Sequence, residues 1–286
     1  MNRLFILILC VLSSLYGMCV SPTMVVALYS GEVPLTNGYT QPEEMKKGGL
    51  YYTVSPRMDV YLPEGVTNAP MLLVIPGGSY RYASVVNEGE RVAEYMVARG
   101  IAVAVLKYRM PNGHTLVPLT DAIQAMEQLR DSAEAWQIDA HAIGAMGFSA
   151  GGHLCSTLLT KYKTNKSRPD FGVLVYPVIS MEPEWTHKRS HDLLLGEQAT
   201  EIVEKEWSTY ECVNANTPPC FLVACQDDKT VKVENSLLFY SALTRMGVEG
   251  ELLILPHGGH GWGFSRSFAD KEVFEHALLN FIQRHR

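Results

Sequence analysis

Ser149 lies in the run Gly147-Phe148-Ser149-Ala150-Gly151, directly after the apolar stretch Ala142-Ile143-Gly144-Ala145-Met146. A serine flanked by glycines two positions before and after, at the end of a buried strand, is set on a sharp strand-to-helix turn, because strand and helix approach too closely there for a Cβ. Such a turn lifts the hydroxyl clear of the sheet's carboxyl edge and lets the next amide, that of Ala150, point at a developing oxyanion. A serine hydroxyl is a weak nucleophile until a base takes its proton and a third group orients that base. Both partners follow in chain order. The apolar run Phe221-Leu222-Val223-Ala224-Cys225 empties into Gln226-Asp227-Asp228-Lys229-Thr230-Val231, and Glu251-Leu252-Leu253-Ile254-Leu255 empties into Pro256-His257-Gly258-Gly259-His260-Gly261-Trp262. Taken singly, each is an ordinary strand-end acid, histidine or glycine turn; together they are the three parts of a nucleophilic triad for acyl transfer. Asp227 and Asp228 are adjacent, so only one can face the imidazole, and His257 and His260 both remain candidates for the base.

These groups need a sheet whose strands all deliver residues to one edge. Strands are expected near 51–54, 57–62, 71–75, 101–107, 142–147, 171–176, 221–225 and 251–255, with helices over Glu88–Arg99, Pro118–Trp136, Ala150–Lys161, Val233–Met246 and Asp270–Arg284. Strand-helix alternation implies a mostly parallel sheet covered on both faces. In the second helix Leu119, Ile123, Met126 and Leu129 recur at spacings of three or four and form a stripe for core packing. Residues 22–50, rich in Gly, Pro and Thr, read as an N-terminal extension lying on a domain that spans 51–286. Residues 177–219 form a connection long enough to carry structure of its own. With Trp185, His187, His191, Trp207 and Tyr210, it is either a segment that shapes a substrate site or a helical connection whose aromatics pack on the core.

Composition narrows the class. Hydrophobic residues make up 47% and charged residues 19% of the 286, a globular balance, and a formal net charge of −6 offers no basic surface for nucleic acid. The same charge disfavours a polyanionic substrate unless a local basic patch overrides it. Met1-Asn2-Arg3 followed by the apolar stretch 4–12 has the charged start and short greasy core of a secretory signal over 1–21. It is shorter than the ~20 apolar residues of a membrane span, so an exported protein is expected. Cys19 could carry a lipid, but Met18 stands where a lipoprotein signal has a small residue. Cys155 and Cys225 are expected to be buried packing residues, and Cys212 and Cys220 are placed so that they could be bridged. No Cys-x-x-Cys spacing occurs and no histidine spacing suggests a metal site, so neither a metal nor another cofactor is expected.

On these motifs the chain resembles the α/β-hydrolase superfamily. In that superfamily the triad acid often sits in an Asp-x-x-Val frame, matched by Asp228-Lys229-Thr230-Val231, and the late histidine in Gly-Gly-His-Gly-Trp, matched by Gly258 to Trp262. The resemblance therefore implies Ser149, Asp228 and His260 as catalytic residues, with Asp227 a solvated or turn-capping neighbour. It also implies a three-layer fold with an eight-stranded, mostly parallel sheet. Where lipases and esterases often carry His-Gly-Gly-Gly, this chain has Pro76-Gly77-Gly78-Ser79 after the strand Met71 to Ile75. It departs at both ends, yet backbone donors remain: Gly78 and Ser79 join Ala150 as oxyanion-hole candidates. Val105 to Arg109, Pro118 to Ala122 and Thr217-Pro218-Pro219 make the chain similar, from about Tyr51 onward, to bacterial carbohydrate esterases of the acetylxylan and bifunctional acetyl/feruloyl type. The resemblance implies a serine esterase acting on an acetylated oligosaccharide or polysaccharide. The alternatives are a peptidase of the prolyl-oligopeptidase type, which shares the fold and chain order, and a non-catalytic carbohydrate-binding relative.

Overall fold

The computed structural model describes residues 21–286. Cys10, Cys19 and, but for Ser21, the signal-like segment 1–21 lie outside them. The strands are β1 (Met24–Ala27), β2 (Glu44–Lys46), β3 (Gly49–Tyr51), β4 (Arg57–Tyr61), β5 (Ala69–Ile75), β6 (Tyr82–Ala83), β7 (Ala102–Lys107), β8 (Ile138–Phe148), β9 (Gly172–Val175), β10 (Cys220–Cys225) and β11 (Gly250–Leu255). The helices are α1 (Arg91–Val97), α2 (Leu116–Asp131), α3 (Ser149–Lys161), α4 (Lys188–Leu195), α5 (Glu201–Trp207), α6 (Glu234–Arg245) and α7 (Lys271–Arg284). No helix among the described residues is long and apolar enough to cross a membrane.

Eight strands form one sheet in the order β1-β4-β7-β5-β8-β9-β10-β11. β4 runs antiparallel to both its neighbours, while β7, β5, β8, β9, β10 and β11 are mutually parallel. The chain passes from β5 to β7 on one side and then crosses back to β8 on the other. Connections leave β5 and β8 in opposite directions, so a crevice opens at their carboxyl ends, the place where open α/β sheets bind ligands.

Two apolar layers sandwich the sheet. Met71, Leu73 and Ile75 of β5 face one layer with Leu119 and Met126 of α2, Leu154 of α3 and Phe239 of α6. Leu72 and Val74 face the other, with Val92 and Met96 of α1 and Phe274 and Phe281 of α7. The alternation follows from the two-residue period of a strand, and because both faces are covered the strands read as continuous apolar runs. Each fully buried side chain of this kind contributes ~1.5–3 kcal/mol.

The eight-stranded sheet expected from the sequence is present, but its first member is different. The expected strand at 51–54 is not in it; Gly49–Tyr51 belongs instead to a separate three-stranded sheet, β2-β3-β6. The edge position is filled by β1, drawn from the segment read as an extension, which pairs antiparallel with β4 from Met24↔Val60 to Ala27↔Arg57. A four-residue edge strand with alternating half-buried residues carries too little apolar signal to be seen without its partner. The rest of the extension is held by a buried ion pair. Arg109 and Asp121 meet at 2.6 Å, and the Arg109 guanidinium donates to the carbonyls of Pro34 and Leu35 at 3.0 Å each. Tyr29 donates its hydroxyl to Asp121 at 3.1 Å. Cys212 and Cys220 are both free thiols, the first turned toward the Glu206 carbonyl and the second toward that of Pro218.

Candidate active site

Ser149 is the first residue of α3 and follows directly on Phe148, the last residue of β8, with φ at +51°. A non-glycine residue in the left-handed region is strained and persists only where its surroundings over-determine it. Here they do. A Cβ on Gly147 would stand 2.4 Å from both Cys155 Cβ and the Gly151 carbonyl oxygen, and one on Gly151 would stand 2.2 Å from the Ile75 carbonyl oxygen. Side chains at either position would force strand and helix apart, at a cost of ~1–3 kcal/mol or more. The small residues read from the sequence are thus a packing requirement of the turn itself.

The structure brings Ser149, His260 and Asp228 into one hydrogen-bonded line. His260 Nε2 lies 2.8 Å from Ser149 Oγ, and its Nδ1 lies 2.7 Å from Asp228 Oδ2. A carboxylate only accepts, so Nδ1 carries the proton and Nε2 presents its lone pair to the serine hydroxyl. The other oxygen of Asp228 accepts from the amides of Thr230 at 2.8 Å and Val231 at 3.0 Å. Those bonds fix the carboxylate plane, and the Asp228 side chain is fully buried while that of His260 is 16% exposed. Ser149 is itself only 6% exposed, because the turn and the imidazole cover all but the tip of a side chain that the sequence suggests stands free.

Asp227 does not reach the imidazole. Its carboxylate accepts from the amides of Gly259 at 2.8 Å and Gly258 at 3.3 Å, and these bonds hold its pKa below the ordinary carboxylate value. The neighbouring acids therefore have different tasks: Asp228 holds the ring, and Asp227 braces the loop that carries it. His257 is an exposed residue 3.6 Å from Asp227 and lies outside the line.

The loop after β5 abuts the nucleophile turn, since a Cβ on Gly77 would lie 2.9 Å from Ser149 Cβ. The Gly77 amide is committed to Glu88 Oε2 at 2.8 Å. Among the described residues the amides of Gly78, Ser79 and Ala150 have no protein acceptor. Unpaired donors beside a nucleophile are what an oxyanion hole requires.

Three residues that the sequence reading did not single out as site residues tie these loops together. Glu88, fully enclosed, accepts from the Gly77 amide and, on its other oxygen, from the Tyr176 hydroxyl at 2.7 Å. Burial raises its pKa, against the opposing effect of those bonds. The Tyr176 hydroxyl in turn accepts from the Gly263 amide at 2.9 Å, and its ring lies 4.7 Å from that of His260. One carboxylate thus connects the loop after β5 to the histidine loop. That second loop is pinned further by Trp262, stacked on Phe268 at 4.2 Å and edge-on to Tyr176. His153, in α3, bonds the Tyr80 hydroxyl through Nδ1 and the Trp207 carbonyl through Nε2, both at 2.8 Å. The carbonyl can only accept, so Nε2 carries the proton and the tyrosine donates. No sequence signal marks Glu88 or Tyr176, whose roles rest on long-range contacts; His153 stands beside the Ser149 motif, but only burial reveals its task.

Burial lowers the His153 pKa to about 4, against ~6.5 for a free imidazole. Between those values the unfolded chain takes up a proton that the native state refuses, so stability falls as pH falls through this window. The full loss from this group is of order 3 kcal/mol. Denaturant melts between pH 7 and 4 should show that decline, and His153→Gln should flatten it. An unchanged slope in the variant would assign the acid sensitivity to other groups.

A strand order that reverses at β5, a serine on the β8–α3 turn, an acid after β10 and a histidine after β11 define an α/β-hydrolase. The sequence matches the BD-FAE family over residues 58–243, and the chain belongs to it. It is 37% identical to an acetylxylan esterase of Xylanibacter ruminicola over 231 residues, covering 79% of this chain and 48% of that protein. It is 34% identical to endo-1,4-beta-xylanase B of Butyrivibrio fibrisolvens over 224 residues, covering 73% of this chain and 35% of that one. The chain thus spans half or less of these two relatives. Among solved structures, an acetyl ester-xyloside bifunctional hydrolase from Caldicellulosiruptor lactoaceticus superimposes with a TM-score of 0.78 at 33% identity, covering 93% of this chain and 98% of that one.

Proposed function

We propose that this protein is a serine esterase that removes acetyl groups from xylan-type polysaccharide through an acyl-serine intermediate. The observation that carries the reading is the unbroken line Ser149–His260–Asp228 beside amides with no protein acceptor. The sugar-ester substrate draws its support from the relatives, which are named an acetylxylan esterase, an endo-1,4-beta-xylanase and an acetyl ester-xyloside bifunctional hydrolase.

In the proposed reaction His260 Nε2 takes the hydroxyl proton as Ser149 Oγ bonds to the acetyl carbon. The carbonyl oxygen becomes an oxyanion held by the amides of Ala150 and Gly78, with Ser79 the next donor in the loop. The tetrahedral intermediate collapses as the C–O bond to the sugar breaks, and the imidazolium gives its proton to the departing sugar oxygen. Water then attacks the acetyl-serine, giving its proton to the same nitrogen, and acetate leaves as that proton returns to Ser149 Oγ. Asp228 keeps the required tautomer and stabilises the imidazolium in both halves.

A fluorophosphonate probe followed by peptide mapping tests the chemistry, and label on Ser149 is expected. An unlabelled protein would point to a binding relative. Acetate release from acetylated xylan, compared with cleavage of proline-containing peptides, then tests the substrate; cleavage of peptides alone would overturn the esterase reading.

A further inference from the structure

A cavity of roughly 740 Å³ lies beside the loop after β5, and four separate parts of the chain line it. Tyr39 comes from the segment before β2, Tyr52 follows β3, Arg81 lies beyond Ser79 in the loop after β5, and His187 to Arg189 form the cap and first residues of α4. Two observations place it beside the Ser149 site. Arg81 continues the backbone that supplies the Gly78 and Ser79 amides, its own amide donating to the Gly78 carbonyl at 3.0 Å. His187 is close enough to the triad that, after burial, the charges of His260 and Arg189 lower its pKa while Asp228 raises it.

The charges in this cavity are not balanced by the protein. Lys188 pairs with Asp192 at 2.6 Å. The guanidinium groups of Arg81 and Arg189 have no carboxylate or hydrogen-bond partner among the described residues. Two unanswered guanidinium forks at one cavity stand out in a chain of net charge −6. Beside them Tyr39 and Tyr52 meet edge to face, with ring centroids 5.3 Å apart. An aromatic face carries negative potential and suits the polarised C–H face of a pyranose, and a guanidinium fork suits a carboxylate. A neutral xylose unit would satisfy the rings and leave both forks unanswered.

We infer that this cavity is a subsite for a hexuronic-acid unit of the acetylated polysaccharide, its ring against the tyrosines and its carboxylate received by Arg81 and Arg189. The inference rests on the esterase reading above and narrows its substrate class to acidic, uronate-bearing chains. The segment containing α4 thereby takes part in substrate selection as well as packing on the core through Trp207.

The test compares acetate release from acetylated xylo-oligosaccharides that carry a glucuronosyl branch with release from the same oligosaccharides after that branch is removed. The unsubstituted protein should favour the acidic substrate about tenfold in kcat/KM at low salt, equivalent to ~1.4 kcal/mol. The preference should lie in KM and shrink at high ionic strength, since exposed charges are screened. Arg81→Ala and Arg189→Ala should each lower the acidic-to-neutral ratio, the double variant should bring it to about one, and Arg189→Lys should retain part of it. Because the readout is a ratio, a variant that merely folds poorly lowers both rates and leaves it unchanged. Acetylated oligogalacturonide serves as a second source of the same carboxylate; a preference for it that the double variant abolishes would support the subsite and assign it to pectin-type chains. Equal rates on all three substrates, or a ratio unmoved in the double variant, would overturn the subsite alone. Failure to release acetate from any of them would overturn the esterase reading instead.

Discussion

Ser149→Ala is expected to lower kcat on 4-nitrophenyl acetate by ~10⁶ while leaving the fold intact. Among the described residues Ser149 Oγ hydrogen-bonds only to His260 Nε2, so its loss removes the nucleophile and frees a single imidazole nitrogen. The backbone contacts that hold the turn, including the Val178 amide on the Ser149 carbonyl at 3.0 Å, do not involve the side chain. Thermal unfolding of the variant should therefore follow that of the parent. Turnover close to the parent level would remove Ser149 from the reaction and with it the whole mechanism.

Asp228→Asn should cost ~10⁴ in kcat, because an amide nitrogen facing Nδ1 favours the tautomer that points a proton at the serine. The substitution preserves volume and leaves an oxygen for the Thr230 and Val231 amides, so the turn after β10 should survive. Asp227→Asn should cost far less. It retains an acceptor for the Gly259 amide, and its effect reaches the reaction only through the placement of the loop that carries His260. Both variants measured on one ester separate the neighbours: equal small losses would mean that the orienting acid comes from elsewhere, and a larger loss at Asp227 would reverse the assignment.

Much of this arrangement is legible in linear order because it is built from strand ends. The run before Ser149, the run before Asp227-Asp228 and the run before the glycine-rich histidine loop are all apolar enough to read as buried strands, and each delivers its residue to the same edge of the sheet. The Asp-x-x-Val frame separates the two acids by resemblance alone. The geometric reason appears only in three dimensions, where the Asp228 carboxylate is anchored by Thr230 and Val231 and that of Asp227 turns to the backbone of another loop.

Periodicity and local turn chemistry carried the layered fold, the order of the strands along the chain, and the glycines at 147 and 151, since each is a property of neighbouring residues. The tertiary structure alone decided which strand completes the sheet, because β1 becomes a strand only through its pairing with β4. It alone decided that Glu88 and Tyr176 join the loop after β5 to the histidine loop, and that Tyr39, Arg81 and Arg189 share one cavity. Contacts between residues far apart in sequence leave no period and no motif, and a buried carboxylate or an unanswered guanidinium becomes visible only when the surface around it is known.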